Sequence, residues 1–172
     1  QVIFCSLSAY ALTFFDFKGK NLLFTFILTT MMIPGDVVII ANYIQIQKWN
    51  LTNTHLGMAL PMLIGGMGIF LMRQFYQGIP TELEEAAYLD GCRPVGVFAR
   101  IFLPLLAPVT ATCAIRQGVG MWNDYLVSRT LLNENKNPTL MVGITGFFGA
   151  RGSELGYAFT GMLLVSIPMV IM

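Results

Sequence analysis

Charge is what this sequence most lacks. Of its 172 residues, 10 are Lys or Arg and 9 are Asp or Glu, so 11% are charged while 55% are hydrophobic. Soluble domains carry about 25% charged residues; so few polar groups cannot coat a water-facing surface, and a membrane is the expected setting. The net charge of +1 excludes the basic field that a nucleic-acid partner requires. Histidine occurs once, at His55, and Cys5, Cys92 and Cys113 stand far apart with no CxxC spacing, which excludes a zinc site and a disulfide framework. Phosphate-loop, HExxH and GxSxG patterns are missing too: the Gly19-Lys20 pair is followed by Asn21. The chain therefore holds no residues for catalysis or nucleotide binding, and no cofactor is expected.

What is abundant is apolar sequence in long runs. Residues 1–15, 22–46 (with the single charge Asp36), 56–76 (uncharged up to Arg73), 101–126 (with Arg116 and Asp124) and 155–172 approach, wholly or in part, the about 20 residues that cross roughly 30 Å of hydrocarbon. Backbone groups in lipid must be satisfied internally, and no period-2 alternation is present, so these are helices and not barrel strands. The predicted fold class is all-α, a polytopic helical membrane protein. Residues 1–15 lack the charged n-region of a signal peptide. Both ends fall inside apolar runs, so the chain is expected to be a piece of a longer protein.

Connections at 16–21, 47–55, 77–100 and about 127–154 then alternate between sides. Leaving out Arg116, Lys and Arg number five on one side (Lys18, Lys20, Arg73, Arg93, Arg100) and four on the other (Lys48, Arg129, Lys136, Arg151), a count that does not fix orientation. Pro34, Pro61, Pro104, Pro108 and Pro168, with Gly65, Gly66 and Gly68 close behind Pro61, are expected either to break the helices along a cavity or to reflect ordinary membrane-helix composition.

The third connection reads PTELEEAAYLDGCRPVGVFARIFLP over residues 80–104. Thr81 and Glu84 have capping-box spacing, and the acidic first turn suits the helix dipole. Gly91 is placed to end that helix at positive φ, and Pro94 to open a second one. The expected shape is helix, sharp bend, helix, outside the lipid. Ala86 and Ala87 leave the first helix slender, while Glu82, Glu84 and Glu85 offer acceptors for a partner's basic side chain; a solvated interfacial helix would look the same.

Spacing separates the two. EAA, three residues, Gly, nine residues, Ile, one residue, Leu-Pro is met by Glu85, Ala86, Ala87, Gly91, Ile101, Leu103 and Pro104. Seven positions, each filled by a residue used at roughly 5–10%, coincide by chance on the order of once in 10^8 starts. The string resembles the EAA loop of ABC importer permeases. SLSAYAL at 6–12, MMIPGDV at 31–37, GIFLMRQF at 68–75 and MWNDYL at 121–126 resemble the carbohydrate branch, of the maltose and glycerol-3-phosphate type, in the right order.

That resemblance implies one permease domain over 1–172 carrying helices two to six of six, in the bacterial or archaeal inner membrane, with loop 80–104 cytoplasmic. It implies ATP-driven import of a sugar or sugar-like solute, with ATP bound and hydrolysed by separate ATP-binding cassette subunits. A second permease subunit, an extracytoplasmic solute-binding protein and membrane lipid are the other implied partners. Glu84, Glu85, Ala86, Ala87, Leu83 and Gly91 would meet the ATPase subunit, Glu85 through a basic residue there. Part of 143–154 (GITGFFGARGSE) would meet the binding protein. Permeases for peptide, glycerol-3-phosphate or other solutes are the alternatives, and a secondary transporter would have no use for loop 80–104.

Charges inside the spans need their own account. Counted along straight helices at 1.5 Å per residue, Asp36 lies about 21 Å from Leu22 and Arg116 about 22 Å from Ile101, so the two sit level. A mid-bilayer charge costs about 2.5–3.5 kcal/mol on insertion scales and faces a partner or a cavity. An Asp36–Arg116 ion pair is the preferred reading; the other has Arg116 lining the path for an anionic or hydroxyl-rich substrate. Arg116 departs from the carbohydrate branch, where an apolar residue is common. Trp122 suits an aromatic belt, and with Asn123 and Asp124 it resembles that branch's outer gate.

Overall fold

The computed structural model describes residues 1–133, 138–148 and 155–171, and every ordered element among them is helical. The α-helices are α1 (Val2–Phe14), α2 (Lys20–Thr30), α3 (Gly35–Lys48), α4 (His55–Ala59), α5 (Gly66–Tyr76) and α6 (Glu82–Leu89). They continue with α7 (Pro94–Val97), α8 (Leu103–Leu105), α9 (Ala107–Trp122), α10 (Leu126–Leu131), α11 (Leu140–Thr145) and α12 (Leu155–Ile171). One π-helical turn, Phe98–Phe102, joins α7 to α8.

Three of the apolar runs expected to span are broken into bent helix pairs. Among the described residues no single helix is long and apolar enough to cross a membrane, whereas three bent pairs are: α2 with α3, His55–Met62 with α5, and Pro94–Leu105 with α9. The breaks have local causes. Pro34 supplies no N–H and disfavours a helical residue before it, so α2 ends at Thr30 and α3 restarts at Gly35. Pro61 falls in a 3-10 turn, Leu60–Met62, followed by extended Gly65. Pro104 sits in the first turn of the three-residue α8, and Pro108 in the first turn of α9, where a missing N–H costs least. Pro168 behaves differently from the expectation of a break and is carried inside α12.

The chain divides into two compact units. The first comprises Gln1–Ile33 and Leu63–Ala114, the second Pro34–Met62 and Ile115–Met172. In the first, α1 lies along α5 with little between them. A Cβ at Gly68 would stand 2.9 Å from Cys5 Sγ, and one at Gly66 would stand 2.7 Å from Met31 Cγ. The Cys5 thiol donates to the Gly65 carbonyl at 3.6 Å. The small residues after Pro61 therefore buy close helix approach.

Around that seam six rings gather: Tyr10 has ring centroids of Phe14, Phe15, Phe98, Phe102 and Tyr76 within 5.1 to 5.9 Å, and Phe14 approaches Phe102 at 4.4 Å. Such pairs each add about 0.5–1.5 kcal/mol beyond burial. Tyr76 is fully buried, and its hydroxyl is paired with Ser6 Oγ at 3.1 Å. Arg73 reaches both α2 and α1, its guanidinium carbon 4.1 Å from the Phe24 ring centroid and its Nε donating to Leu12 O at 3.5 Å.

In the second unit the loop after α3 turns through left-handed Asn50 and Asn53. Asn53 N–H donates to Leu131 O at 2.8 Å, and its side-chain oxygen accepts from Asn133 N–H at 3.0 Å. Thr54 caps α4 by accepting from Gly57 N–H at 3.0 Å.

Candidate functional site

The helix that carries the EAA string runs Glu82–Leu89, with Glu82, Glu84 and Glu85 in its first turn. Its start differs from the capping-box expectation. Thr81 already has helical φ −67° and ψ −23°, and its side chain makes no cap hydrogen bond. Its carbonyl accepts from Glu84 and Glu85 N–H at 3.0 and 3.1 Å, and Pro80 O accepts from Leu83 N–H at 3.3 Å. A residue that is itself helical cannot turn its hydroxyl back over the first turn as a cap does, so Glu84 has no reciprocal partner at Thr81.

The end of the helix follows expectation. Gly91 has φ +79°. Cys92 N–H reaches Ala87 O at 2.9 Å and Gly91 N–H reaches Tyr88 O at 3.0 Å, the paired bonds of a Schellman ending. Nothing lies within 4 Å of where a Gly91 Cβ would be, so backbone conformation, and not crowding, demands glycine. Arg93 is extended and Pro94 opens α7. Val97 and Phe102 are fully buried, which locks the second arm of the bend into the ring cluster.

The faces of α6 divide cleanly. Ala87 is 4% exposed and belongs to the core of the first unit. Glu84, three positions earlier on the same side, is half-buried; its Oε1 accepts from Tyr10 OH at 3.3 Å and from Tyr88 OH at 3.0 Å. Glu82, Leu83, Glu85 and Ala86 are exposed. Beside them Leu89 is 89% exposed and Val95, across the bend, 78%. Those two apolar side chains were not singled out in the sequence; their signal is a hydrophobic residue on each side of an otherwise polar bend.

The membrane charges do not pair as expected. Among the described residues no ion pair or hydrogen bond joins Asp36 to Arg116, and both are exposed. The level-depth arithmetic assumed straight helices. Because the chain breaks before Gly35, Asp36 falls in the first turn of α3, where the helix N-terminus itself favours an anion. Arg116 lies midway along α9, after a second break at Leu106.

Trp122, Asn123 and Asp124 are each held by a bond within the second unit. The Trp122 indole N–H donates to Val165 O at 3.0 Å, in the turn of α12 that precedes Pro168. Asn123 Nδ2 donates to Val119 O at 3.0 Å. Asp124 Oδ2 accepts from Ser128 N–H at 2.8 Å and Ser128 Oγ at 2.9 Å, which closes the first turn of α10 around a buried serine. Of the segment 143–154, residues 149–154 lie outside the described residues.

The sequence pattern of one family, described as the binding-protein-dependent transport system inner membrane component, matches residues 1–172. The chain belongs to this family. It is 34% identical over 172 residues to the arabinooligosaccharides transport system permease protein AraQ of Halalkalibacterium halodurans, covering 100% of this chain and 62% of the relative. The melibiose/raffinose/stachyose import permease protein MelC of Bacillus subtilis is 33% identical over 177 residues, covering 99% and 63%. The sn-glycerol-3-phosphate transport system permease protein UgpE of Salmonella typhi is 33% identical over 167 residues, covering 96% and 59%. The fold is that of a crystal structure described as a bacterial ABC transporter involved in the import of the acidic polysaccharide alginate, with a TM-score of 0.81 over 99% of this chain and 65% of that one, at 24% identity. The chain thus spans about three fifths of the length of these curated relatives, and it is a member of an inner-membrane, multi-pass permease family.

Proposed function

We propose that this permease forms part of the translocation path of an ATP-driven importer for a sugar or oligosaccharide delivered by an extracytoplasmic binding protein, with ATP hydrolysed on separate subunits. The single observation that carries this reading is the bend at Gly91. A left-handed glycine closes a short helix whose outward face holds Glu82, Glu85 and Leu89 and whose inward face is anchored by Ala87. Such a projecting helix, rigid at its C-terminus and acidic at its start, suits insertion in a groove of a partner that supplies a basic side chain.

Closure of two nucleotide-loaded ATPase subunits would carry the docked helices with them, and the permease would rock between inward- and outward-facing states. Loop 80–104 is the cytoplasmic docking element in this scheme, and Arg116, Asp36, Trp122, Asn123 and Asp124 belong to the path or its gate. The exposure of Arg116 and Asp36 supports that role better than it supports a locking ion pair. Asn123 Nδ2 is bonded to Val119 O and Asp124 Oδ2 to Ser128, and the indole face of Trp122 beside them would supply the apolar platform for a sugar ring. A contact of 143–154 with the binding protein completes the scheme.

The sugar class rests on what the relatives are named for: arabinooligosaccharides, melibiose with raffinose and stachyose, and starch degradation products. The test is uptake by proteoliposomes holding the full-length permease with the permease, ATPase and binding protein encoded beside it. ATP-dependent accumulation of one of a panel of labelled oligosaccharides is expected. Accumulation of glycerol-3-phosphate alone would move the substrate to the anionic alternative, and uptake that persists without ATP would overturn the importer.

A further inference from the structure

Of the three acidic residues in the first turn of α6, Glu84 alone turns inward. Its carboxylate meets the hydroxyl of Tyr10 at 3.3 Å across 74 residues of sequence, and that of Tyr88 at 3.0 Å on its own helix. Tyr10 is no loose surface phenol. It is 4% exposed, and its ring sits among Phe14, Phe98, Phe102 and Tyr76. The phenol oxygen is thus the polar tip of a packed aromatic body, and that tip touches the docking helix.

We propose that Glu84 is a positioning residue that latches α6 to α1 through Tyr10, so that force applied to the docking helix moves α1 with it. The inference rests on the reading of loop 80–104 as the ATPase docking element. Two features of the loop call for such a latch. The apolar anchor of α6 in the core is Ala87, a single methyl group. The Tyr10 hydroxyl adds a directional hydrogen bond to Glu84 from a different helix, a restraint that a single methyl contact lacks. The other restraint, the bend at Gly91, fixes where α6 ends and leaves its N-terminal turn to be held from the side. Glu82 and Glu85, both exposed, stay available to a partner while Glu84 does not, which divides docking and transmission between neighbouring carboxylates.

The test uses the full-length permease in nanodiscs, alone and assembled with its ATPase subunits, in four forms: native, Tyr10→Phe, Glu84→Ala and Glu84→Gln. Tyr10→Phe keeps the ring and loses only the hydroxyl, so the aromatic body stays packed. In the permease alone, amide hydrogen exchange over 85–92 is expected to quicken about tenfold in Tyr10→Phe and in Glu84→Ala. Glu84→Gln, whose amide oxygen still accepts from the phenol, is expected to stay within about threefold of native. In the assembled complex, spin labels at Thr81 and Ile3 report the distance from α6 to α1. The native protein and Glu84→Gln are expected to hold one narrow distance with and without ATP plus vanadate, and Tyr10→Phe to show a nucleotide-dependent shift or broadening. Unchanged exchange in Tyr10→Phe and Glu84→Ala, or a native distance that changes with nucleotide, would overturn the latch. Failure of the ATPase subunits to co-purify with native permease would instead overturn the docking reading beneath it, and the exchange arm still reports whether Glu84 holds α6.

Discussion

Substitution of Gly91 separates the shape of the docking loop from its chemistry. With φ at +79° and no atom within 4 Å of a prospective Cβ, Gly91→Ala introduces no clash and changes only the cost of the left-handed conformation, roughly 1–2 kcal/mol for an ordinary L-residue. Gly91→Asn tolerates that region better. Gly91→Pro cannot enter it, because its φ is locked near −65°, and it also loses the N–H that donates to Tyr88 O at 3.0 Å; the helix ending is then lost altogether. Since 1.4 kcal/mol is tenfold, the ratio of bent to unbent loop should fall about 5- to 30-fold in Gly91→Ala. Affinity of the ATPase subunit for the permease should fall with the bent fraction, by up to the same factor, because a partner that recognises one conformation binds in proportion to its population. Titration of fluorescent ATPase subunit onto full-length permease in nanodiscs reads this directly. The expected order is Gly, then Asn, then Ala, with Pro showing no binding. Equal binding by Gly91→Ala and the native protein, or weaker binding by Gly91→Asn than by Gly91→Ala, would refute the argument from backbone conformation.

Further expectations follow from single contacts. Glu85→Lys should insert in the membrane in normal amount yet lose ATP-driven uptake, since Glu85 is exposed and, on the proposed docking, would meet the partner's basic side chain; retained uptake would remove it from the docking face. Gly68→Val would drive side-chain atoms onto Cys5, whose Sγ already stands 2.9 Å from a Cβ at that position, and should cost about 1–3 kcal/mol, seen as a lower midpoint of thermal unfolding in detergent. Ser128→Ala removes the hydroxyl that donates to Asp124 and should raise amide exchange across α10, leaving α6 unchanged. Arg116→Ala is expected to narrow or weaken substrate uptake without loss of ATPase binding, and an unchanged substrate range would remove Arg116 from the path.

What could be read in the sequence was what depends on neighbours in the chain. The bend at Gly91, the opening of α7 at Pro94 and the placement of helices on the apolar runs all follow from residues within a few positions of each other. Pro34 announced a break but not its consequence, that Asp36 starts a new helix and the straight-line depth shared with Arg116 is lost. Thr81 and Glu84 had capping spacing, yet the phenol of Tyr10 competes for the same carboxylate from 74 residues away. No local pattern reports that competitor, although Ser6, Tyr10 and Phe14 do recur at intervals of four, as do Phe98 and Phe102, which places each set on one helical face. The bond of the Trp122 indole was similarly hidden, because Val165 becomes its neighbour only after α12 folds back, whereas the Asp124–Ser128 and Asn123–Val119 bonds join residues four apart and lay within reach of a local reading.

The central claim is that the outward face of α6 is seated in an ATPase subunit. A photo-crosslinking amino acid placed in turn at Leu89, Glu85 and Ala87 of the full-length permease, in membranes that also hold the ATPase subunits, tests it most directly. The account predicts covalent adducts with the ATPase subunit from positions 89 and 85 and none from the buried position 87. Adducts to lipid or to the permease alone from positions 89 and 85 would contradict it.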